Sequence, residues 1–275
     1  MSGADNIKDL VLVASGKGGV GKSTVATHLA LALAKLGRAV GLLDADIYGP
    51  SIPTLLGAAD RPQVGDDKML QPVRKFGIPV MSMGYLVDPE QAMIWRGPML
   101  AGAVTQLLTD VAWGDLDVLV LDLPPGTGDI QLTLAQKFKV AGAILVTTPQ
   151  AVALADVRRA KAMFDKVRVE VLGLVENMSY FVCSGCDQRH AIFSAGGGSK
   201  VAAELAVQFL GGVPLEPAVR EAGDGGEPVF LRSPSAPSAA AFAAIAAGLD
   251  QALAERQTAA KQARAKRSSL PIIRS

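Results

Sequence analysis

The chain has 275 residues, 49% of them hydrophobic and 19% charged, a composition that can form a sizeable core and excludes a disordered protein. Its 27 basic and 26 acidic side chains leave a net charge of +1, so it lacks the basic excess typical of nucleic-acid-binding proteins. We find no signal peptide at the N-terminus and no apolar run long enough to span a bilayer, so we expect a cytoplasmic protein with no membrane span.

Short apolar runs alternate with helical patterns along the chain. Runs that are apolar throughout are typical of strands covered on both faces of a mainly parallel sheet. The pattern predicts an α/β fold with a doubly wound, mainly parallel sheet flanked by helices, which binds ligands at the carboxyl ends of its strands. The predicted strands are 10–14, 39–43, 78–82, 117–121, 142–147, 171–175 and 212–214, and the predicted helices are 22–36, 98–112, 130–138, 153–166, 198–209 and 236–256.

A glycine-rich loop joins the first predicted strand to the first predicted helix. Gly16 and Gly21-Lys22-Ser23 have the spacing G-x-x-x-x-G-K-[ST] of a phosphate-binding loop, or P-loop. In such a loop the backbone N–H groups surround the phosphates, the lysine meets the β- and γ-phosphates, and the serine hydroxyl binds Mg²⁺. The sequence therefore predicts a P-loop NTPase fold with an ATP and Mg²⁺ site made of Gly16, Lys17, Gly18, Gly19, Val20, Gly21, Lys22, Ser23 and Thr24.

Two aspartate-containing loops follow two other predicted strands, DADIYGPS at 44–51 and DLPPGTGD at 122–129. Asp122 ends an apolar strand in the manner of a Walker B aspartate, so we expect it to hold Mg²⁺ together with Ser23 and Asp46. Asp46 is also a candidate to orient the attacking water. A single aspartate after a strand is often only a turn residue or a helix cap, so these assignments depend on the convergence of all three loops.

The chain has two cysteines, Cys183 and Cys186, in a C-x-x-C motif. In a chain without a secretion signal this motif favours metal or redox chemistry over a structural disulfide. Two thiolates are half of a tetrahedral ligand set, and two copies of the chain would supply four. Four thiolates suit a bridging [4Fe–4S] cluster or one zinc ion equally well. His190 is as readily a polar loop residue as a ligand, so it is left out of the predicted metal set.

Lys17 gives the P-loop the form K-G-G-V-G-K-S-T. This sequence resembles the deviant P-loop of the dimerising ATPases, which include the nitrogenase iron protein, MinD, ParA and the Mrp/ApbC group. In that superfamily the first lysine reaches the nucleotide of the partner subunit. The resemblance implies a homodimer in which Lys17 joins Lys22, Asp46 and Asp122 as a catalytic residue.

The remaining motifs, which span residues 8–250, resemble the Mrp/ApbC iron–sulfur carrier family. The resemblance implies an ATPase with slow turnover that receives an iron–sulfur cluster from a donor, holds it as a bridging [4Fe–4S] cluster between the Cys183 and Cys186 pairs of two subunits, and passes it to apo iron–sulfur proteins. It also implies that Asn177 reads the adenine base, with 214–221 as the other wall of the pocket, although an asparagine after a strand can be a plain turn residue. The matching motifs are DADIYGPS, DLPPGTGD, TPQAVALADV (148–157), ENMSYFVCSGC (176–186), IFSAGG (192–197) and VPLEPAVREAGDGGEP (213–228).

The C-terminal end has a different charge balance from the rest of the chain. Residues 255–275 contain six basic and one acidic side chain, which leaves 21 basic and 25 acidic residues in 1–254. We therefore divide the chain into a P-loop ATPase domain with the C-x-x-C loop, 1–254, and a basic tail, 255–275, in which a helix end frays. Two alternative functions stay open: a MinD/ParA-type positioning ATPase that uses this tail on membrane or DNA, and a zinc-bridged regulatory ATPase.

Overall fold

The computed structural model describes residues 2–47, 49–66, 68–86, 97–126, 128–183, 185–186 and 188–268, without the side chains of Asp129 and 263–268. Tyr48, Thr127 and Ser184 of the sequence motifs lie outside these ranges, as do residues 269–275 of the predicted tail.

The described chain forms strands and helices in alternation. The strands are β1 Ile7–Ala14, β2 Val40–Asp44, β3 Gln63–Val64, β4 Leu70–Gln71, β5 Val73–Lys75, β6 Ile78–Ser82, β7 Leu116–Asp122, β8 Val140–Thr147, β9 Val171–Glu176, β10 Phe181–Val182, β11 Arg189–His190 and β12 Phe209–Gly212. The helices are α1 Lys22–Lys35, α2 Ile52–Leu55, α3 Gly97–Thr109, α4 Asp129–Lys137, α5 Ala151–Lys166, α6 Gly197–Glu204, α7 Pro217–Asp224, α8 Val229–Arg232 and α9 Pro237–Ser268.

Eight strands form one central sheet in the order β12-β9-β8-β1-β7-β2-β6-β5. All neighbouring pairs are parallel except β5 and β6, which are antiparallel. From β1 the chain runs to β2, β5 and β6 on one side, returns to β7 between β1 and β2, and then continues to β8, β9 and β12 on the other side. The predicted doubly wound, mainly parallel sheet is therefore confirmed. Such a sheet has a crevice at the carboxyl end of its first strand, where the winding direction reverses.

Each face of the sheet carries its own hydrophobic core. Along β1, Val11 and Val13 join one core, while Leu10, Leu12 and Ala14 join the other, because successive side chains of a strand point to opposite faces. Residues of α1 and α9 pack in the first core, and residues of α3, α4, α5 and α6 pack in the second. This two-sided burial explains why the strands are apolar throughout.

The carboxyl ends of three central strands lie side by side. Val13 of β1 is in register with Asp122 of β7, which in turn is in register with Asp44 of β2. The P-loop leaves β1 at the same edge. Parallel pairing therefore brings the three loops predicted to form the site, 16–24, 44–51 and 122–129, to one place although they are far apart in the sequence.

Several predicted boundaries were wrong. α9 continues to Ser268, beyond the predicted end at 256. Its Arg256 donates to the Ala141 carbonyl oxygen and its Gln257 donates to Asp9, so beyond residue 254 the helix contacts the amino-terminal parts of β8 and β1. The helix predicted over 198–209 ends at Glu204, because Ala206 adopts a left-handed conformation (φ 51°), and Phe209 already belongs to β12.

None of the helices in the described part of the chain combines the length and apolarity that a bilayer crossing needs.

A histidine lies in the core between α1 and α9. His28 is 2% exposed and stacks on Phe242 with ring centroids 4.2 Å apart, and its Nδ1 is 2.7 Å from the Thr24 carbonyl oxygen. Burial lowers the pKa of His28 to about 4. Because this is below the ordinary value of about 6.5, the unfolded chain takes up the proton first as pH falls. The contribution of the neutral, buried His28 to the free energy of unfolding is therefore complete above about pH 6.5 and is lost progressively towards about pH 4.

We therefore expect His28→Leu to remove part of the acid sensitivity. Between pH 7.5 and pH 5 the parent should lose about 2 kcal/mol more unfolding free energy than the variant, measured by urea unfolding at both pH values. Exposed His190 is the matched control, since His190→Gln leaves His28 in place and should keep the parent's pH dependence. Equal losses in the parent and His28→Leu would contradict this account of the core.

Candidate functional site

A cavity of about 270 Å³ opens at the carboxyl edge of the sheet. The P-loop forms one side, and the loops after β2 and β7 form the other. The predicted residues Lys17, Gly18, Gly19, Gly21, Lys22, Ser23, Thr24 and Asp46 line it, together with Ser15, Gly49, Ser51, Leu55 and Pro125. The three predicted loops therefore converge, as the sequence indicated.

The floor of the cavity holds a buried ion pair. Lys22 Nζ lies 2.6 Å from Asp122 Oδ1, with the side chains 7% and 0% exposed. Lys22 is the first residue of α1, so its ammonium also lies near the positive end of the helix dipole, which disfavours a cation. The carboxylate of Asp122 is therefore the counter-charge of this buried lysine.

The surroundings of Asp122 suit a divalent cation. Burial raises the pKa of this carboxyl, the charge of Asp46 raises it further, and Lys22 and a hydrogen bond from Ser23 oppose the shift. Its second oxygen, Oδ2, is buried and has no hydrogen-bond partner among the described residues. A buried carboxylate oxygen without a partner, beside a serine hydroxyl, fits the oxygen ligand set that Mg²⁺ prefers.

Asp44 is a member of this cluster that sequence reasoning did not select. It is fully buried, and it accepts hydrogen bonds from the Asp46 and Ile52 backbone N–H groups and from the Ser82 hydroxyl. Burial, followed by the nearby Asp122 charge, raises the pKa of Asp44 to about 7. Its position as the last residue of an apolar strand, identical to that of Asp122, was the available signal.

Two glycines of the P-loop are required by close packing. A Cβ at Gly16 would lie 2.3 Å from Cβ of Asp156 on α5, so the loop passes directly against that helix. Gly21 has φ 78°, a left-handed conformation, and a Cβ there would lie 2.1 Å from Nδ2 of Asn177. Val20, which lies between them in the sequence, is buried. The P-loop is therefore packed against α5 at Gly16 and against the loop after β9 at Gly21.

Lys17 lies at the rim of the cavity and is partly exposed. Its Nζ is 3.5 Å from Oε1 of Gln150, in the loop that follows β8. The contact with a partner's nucleotide that the resemblance implies for Lys17 stays a prediction.

Asn177, expected from the resemblance to read the base, contacts the P-loop itself. Its Nδ2 donates to the Val20 carbonyl oxygen over 2.9 Å, and the side chain is 7% exposed. A primary amide has two N–H donors and an acceptor oxygen, so this bond leaves capacity for a base edge. The predicted opposite wall, 214–221, runs beside the same segment, where the Leu215 N–H donates to the Tyr180 carbonyl oxygen. The base contact itself stays a prediction.

The two cysteines lie at the end of a small hairpin. β10 and β11 pair antiparallel, and the Cys183 N–H donates to the Gln188 carbonyl oxygen to close the turn. Both cysteines are thiols, Cys183 half-buried and Cys186 exposed. Among the described residues, no group of three or more His, Cys, Asp and Glu side chains is arranged to hold a metal. One chain therefore offers two thiolates at this place.

A larger groove, of about 620 Å³, lies at the opposite end of the strands between Lys35, Arg74 and Trp113. It contains none of the predicted site residues, so the smaller cavity at the carboxyl edge is the candidate functional site.

Comparison with known proteins agrees with this geometry. A family model described as an NUBPL iron-transfer P-loop NTPase of the ParA group matches residues 6–250. An iron–sulfur cluster carrier protein from Pseudomonas fragi is 52% identical over 246 residues, covering 89% of this chain and 86% of the relative. A nucleotide-binding protein from Archaeoglobus fulgidus, solved with ADP, superposes with a TM-score of 0.71 at 42% identity, covering 81% of this chain and 88% of that one. The cell-division ATPase MinD from Pyrococcus furiosus shares the fold, with a TM-score of 0.66 at 23% identity, covering 89% of this chain and 99% of that one.

We expect the Lys22–Asp122 pair to show strong coupling in a double-mutant cycle. Lys22→Met alone should lower the unfolding free energy by about 3 kcal/mol, because it leaves Asp122 buried without its cation. Lys22→Met/Asp122→Leu should recover most of that loss, since no uncompensated charge remains. Chemical unfolding of the nucleotide-free parent, both single variants and the double variant measures the coupling. Additive losses would mean that the two side chains do not form the buried pair.

The packing of the P-loop predicts that alanine substitution lowers the melting temperature at Gly16 but not at Gly18. Gly16→Ala should lower the melting temperature by several degrees, because its Cβ meets the body of α5. Gly18→Ala is the matched control, since a Cβ there meets nothing within 4 Å. Thermal unfolding of the nucleotide-free variants checks this. A Gly16→Ala variant as stable as Gly18→Ala would contradict the close approach of loop and helix.

Proposed function

Since this chain belongs to the NUBPL-type family of iron-transfer P-loop NTPases, we propose that it is an iron–sulfur cluster carrier that works as an ATP-dependent homodimer. The observation that carries the proposal is the presence, in one chain, of a P-loop cavity and of a thiol pair of which Cys183 is half-buried and Cys186 exposed. The cluster is the cargo, received from a donor and passed to apo iron–sulfur proteins. A reducing compartment such as the cytoplasm, where thiols stay reduced, suits this chemistry.

The nucleotide half of the proposal uses the residues around the cavity. The P-loop N–H groups from Gly16 to Thr24 would surround the phosphates of ATP, and Lys22 would turn from Asp122 to the β- and γ-phosphates. Ser23 and Asp122 would hold Mg²⁺, which neutralises charge on the phosphates. The unpartnered Oδ2 of Asp122 supports this assignment.

Hydrolysis requires a positioned water and stabilisation of the charge on the γ-phosphate. Asp46, at the cavity wall, is the proposed residue that orients the water. Lys17 would supply a second cation to the nucleotide of the partner subunit, as the family resemblance implies. Turnover is expected to be slow, because the nucleotide acts as a switch between states of the dimer.

The cargo half of the proposal uses Cys183 and Cys186. Two copies of the hairpin related by a two-fold axis would present four thiolates to one centre, the ligand number of a [4Fe–4S] cluster. The exposure of Cys186 supports this role, because a ligand that must meet a second chain and later an acceptor has to be accessible. Zinc has the same ligand preference, and metal analysis separates the two.

We expect the parent chain, reconstituted anaerobically with iron and sulfide, to bind about four irons per two chains and to show a broad charge-transfer band in the visible spectrum. Cys183→Ser/Cys186→Ser should lose both the band and the iron. Iron and zinc analysis with size-exclusion chromatography and light scattering measures stoichiometry and assembly together. A colourless parent with one zinc per two chains, or with no metal, would overturn the cluster assignment.

Lys22→Ala is the control that separates the two halves of the proposal. It should abolish ATP turnover, because the phosphates lose their cation, while it leaves the cysteines able to take up iron. ATP hydrolysis and iron content measured on the same preparations test this. Parent-like hydrolysis by Lys22→Ala would overturn the nucleotide assignment.

A further inference from the structure

The two cysteines belong to an excursion of the chain that leaves the sheet at the end of β9 and returns at α6. We call residues 178–196 the cysteine segment. Its base is closed by Glu176, which is 1% exposed and accepts hydrogen bonds from the Ser179 hydroxyl and the Gly198 N–H. The segment is therefore a loop with a fixed base and the thiol pair near its far end.

The first end of the cysteine segment is attached to the P-loop. Asn177 donates from Nδ2 to the Val20 carbonyl oxygen, and its backbone N–H donates to Thr147 at the end of β8. Met178 follows in a left-handed conformation (φ 54°), and its Cε lies 3.9 Å from the Cβ position of Gly21. A movement of the P-loop at Val20 and Gly21 would therefore displace Asn177 and Met178, where the segment begins.

A continuous set of contacts then reaches the cysteines. The Ser179 N–H donates to the Val213 carbonyl oxygen, and the Arg189 guanidinium lies 4.7 Å from the centre of the Tyr180 ring. Phe181 pairs with His190 across the hairpin, next to the turn that contains Cys183. Hydrogen bonds or ring contacts thus hold Asn177, Ser179, Tyr180 and Phe181 between the P-loop and the hairpin.

The second end of the cysteine segment is attached to the other side of the P-loop. The Ser194 hydroxyl donates to the Pro149 carbonyl oxygen over 2.9 Å. The next residue, Gln150, accepts from Lys17 Nζ over 3.5 Å and from the Thr148 hydroxyl over 3.3 Å. Both ends of the segment are therefore connected to residues that line the nucleotide cavity.

We propose that Asn177 and Ser194 are positioning residues that transmit occupancy of the P-loop to the thiol pair within a single chain. This inference rests on the proposed nucleotide site and assigns its regulation of the cysteines to a path that needs no second subunit. Nucleotide fixes the P-loop, and the two attachments then restrain the segment that carries Cys183 and Cys186. Coupling of this kind travels through contiguous packed and hydrogen-bonded groups and affects both sites reciprocally.

The test measures thiol exposure in the metal-free full-length chain. Alkylation of Cys183 and Cys186 by iodoacetamide is followed by mass spectrometry, without nucleotide and with saturating ADP and Mg²⁺, after an ADP titration of each variant. In the parent, ADP should slow alkylation by about fivefold, a coupling within the usual range for linked sites. A parent rate that saturating ADP leaves unchanged would overturn the inference.

Variants at the two attachments test the path. Asn177→Asp keeps the shape of the side chain but replaces the N–H donor that faces Val20, and Ser194→Ala removes the hydroxyl that holds Pro149. In both variants the ratio of the alkylation rate without nucleotide to the rate with saturating ADP should be about 1, since the coupling is removed. Ser194 is exposed and lies outside the residues that line the cavity, so its replacement tests the coupling without removing a nucleotide contact.

Two control variants distinguish positioning from general damage. Ser194→Thr retains the hydroxyl and should restore the parent ratio. Thr258→Ala, whose hydroxyl donates to the Ala254 carbonyl oxygen within α9 and away from the cysteine segment, should also keep it. A parent ratio in both Asn177→Asp and Ser194→Ala would mean that ADP acts on the thiols by another route, such as association of two chains, and would overturn the inference.

The same experiment separates this inference from the proposed function. If the parent takes up no cluster but ADP slows alkylation through Ser194, the cargo assignment fails and the coupling stands. If the cluster forms as expected but alkylation ignores ADP, the coupling fails and the carrier stands. Absence of ADP binding in the titration would overturn both, and it is seen directly before any thiol is modified.

Discussion

The buried ion pair between Lys22 and Asp122 is the contact on which the nucleotide site depends. Each partner is unfavourable alone, because Lys22 is a cation at the positive end of α1 and Asp122 is a buried carboxylate close to Asp44 and Asp46. Together they satisfy each other. In the proposed function, a nucleotide with Mg²⁺ would offer each a partner of opposite charge, phosphate for the lysine and the cation for the aspartate. The pair therefore holds both side chains where such an exchange of partners can take place.

The sheet determines where this pair can form. Asp122 and Asp44 end neighbouring parallel strands in register, so their carboxyl groups are brought together by backbone hydrogen bonds. Burial and the nearby Asp122 charge raise the pKa of Asp44 to about 7, and the backbone N–H groups of Asp46 and Ile52, which donate to its carboxyl group, oppose this rise. The P-loop is fixed independently, by the contacts of Gly16 with α5 and Gly21 with Asn177. The site is thus positioned by the pairing of β2 with β7, by α5 and by Asn177.

Sequence predicted the parts of this arrangement that a repeating or local pattern encodes. The P-loop follows from the spacing of Gly16, Gly21 and Lys22, and the central strands follow from their apolar runs. The β10–β11 hairpin could not be found this way, since two-residue strands have no period. The length of α9 was underestimated because its basic residues suggested a solvated tail, although Ala, Gln, Lys and Arg are all good helix formers.

Other features depend on tertiary contacts that no local pattern contains. Asp44 ends an apolar strand as Asp122 does, but only the pairing of β2 with β7 shows that the two carboxyl groups are neighbours. The resemblance suggested a base contact for Asn177. Its bond to Val20 joins residues 157 positions apart, so it could be recognised only in the folded chain.

The two proposed sites differ in a way that suits a carrier. Asp122 is fully buried and paired with Lys22, whereas the thiols lie at the end of a hairpin of two-residue strands and Cys186 is exposed. In the proposed homodimer the ligand set would be complete only when two chains meet, so the affinity for a cluster would include the free energy of that association. Separation of the chains would break the two iron–thiolate bonds to one of them and leave those irons to take ligands from an acceptor. A site divided between two chains can therefore release its cargo through a change in the contacts between the chains. Nucleotide binding at a P-loop that faces the partner subunit, as proposed for Lys17, could cause such a change.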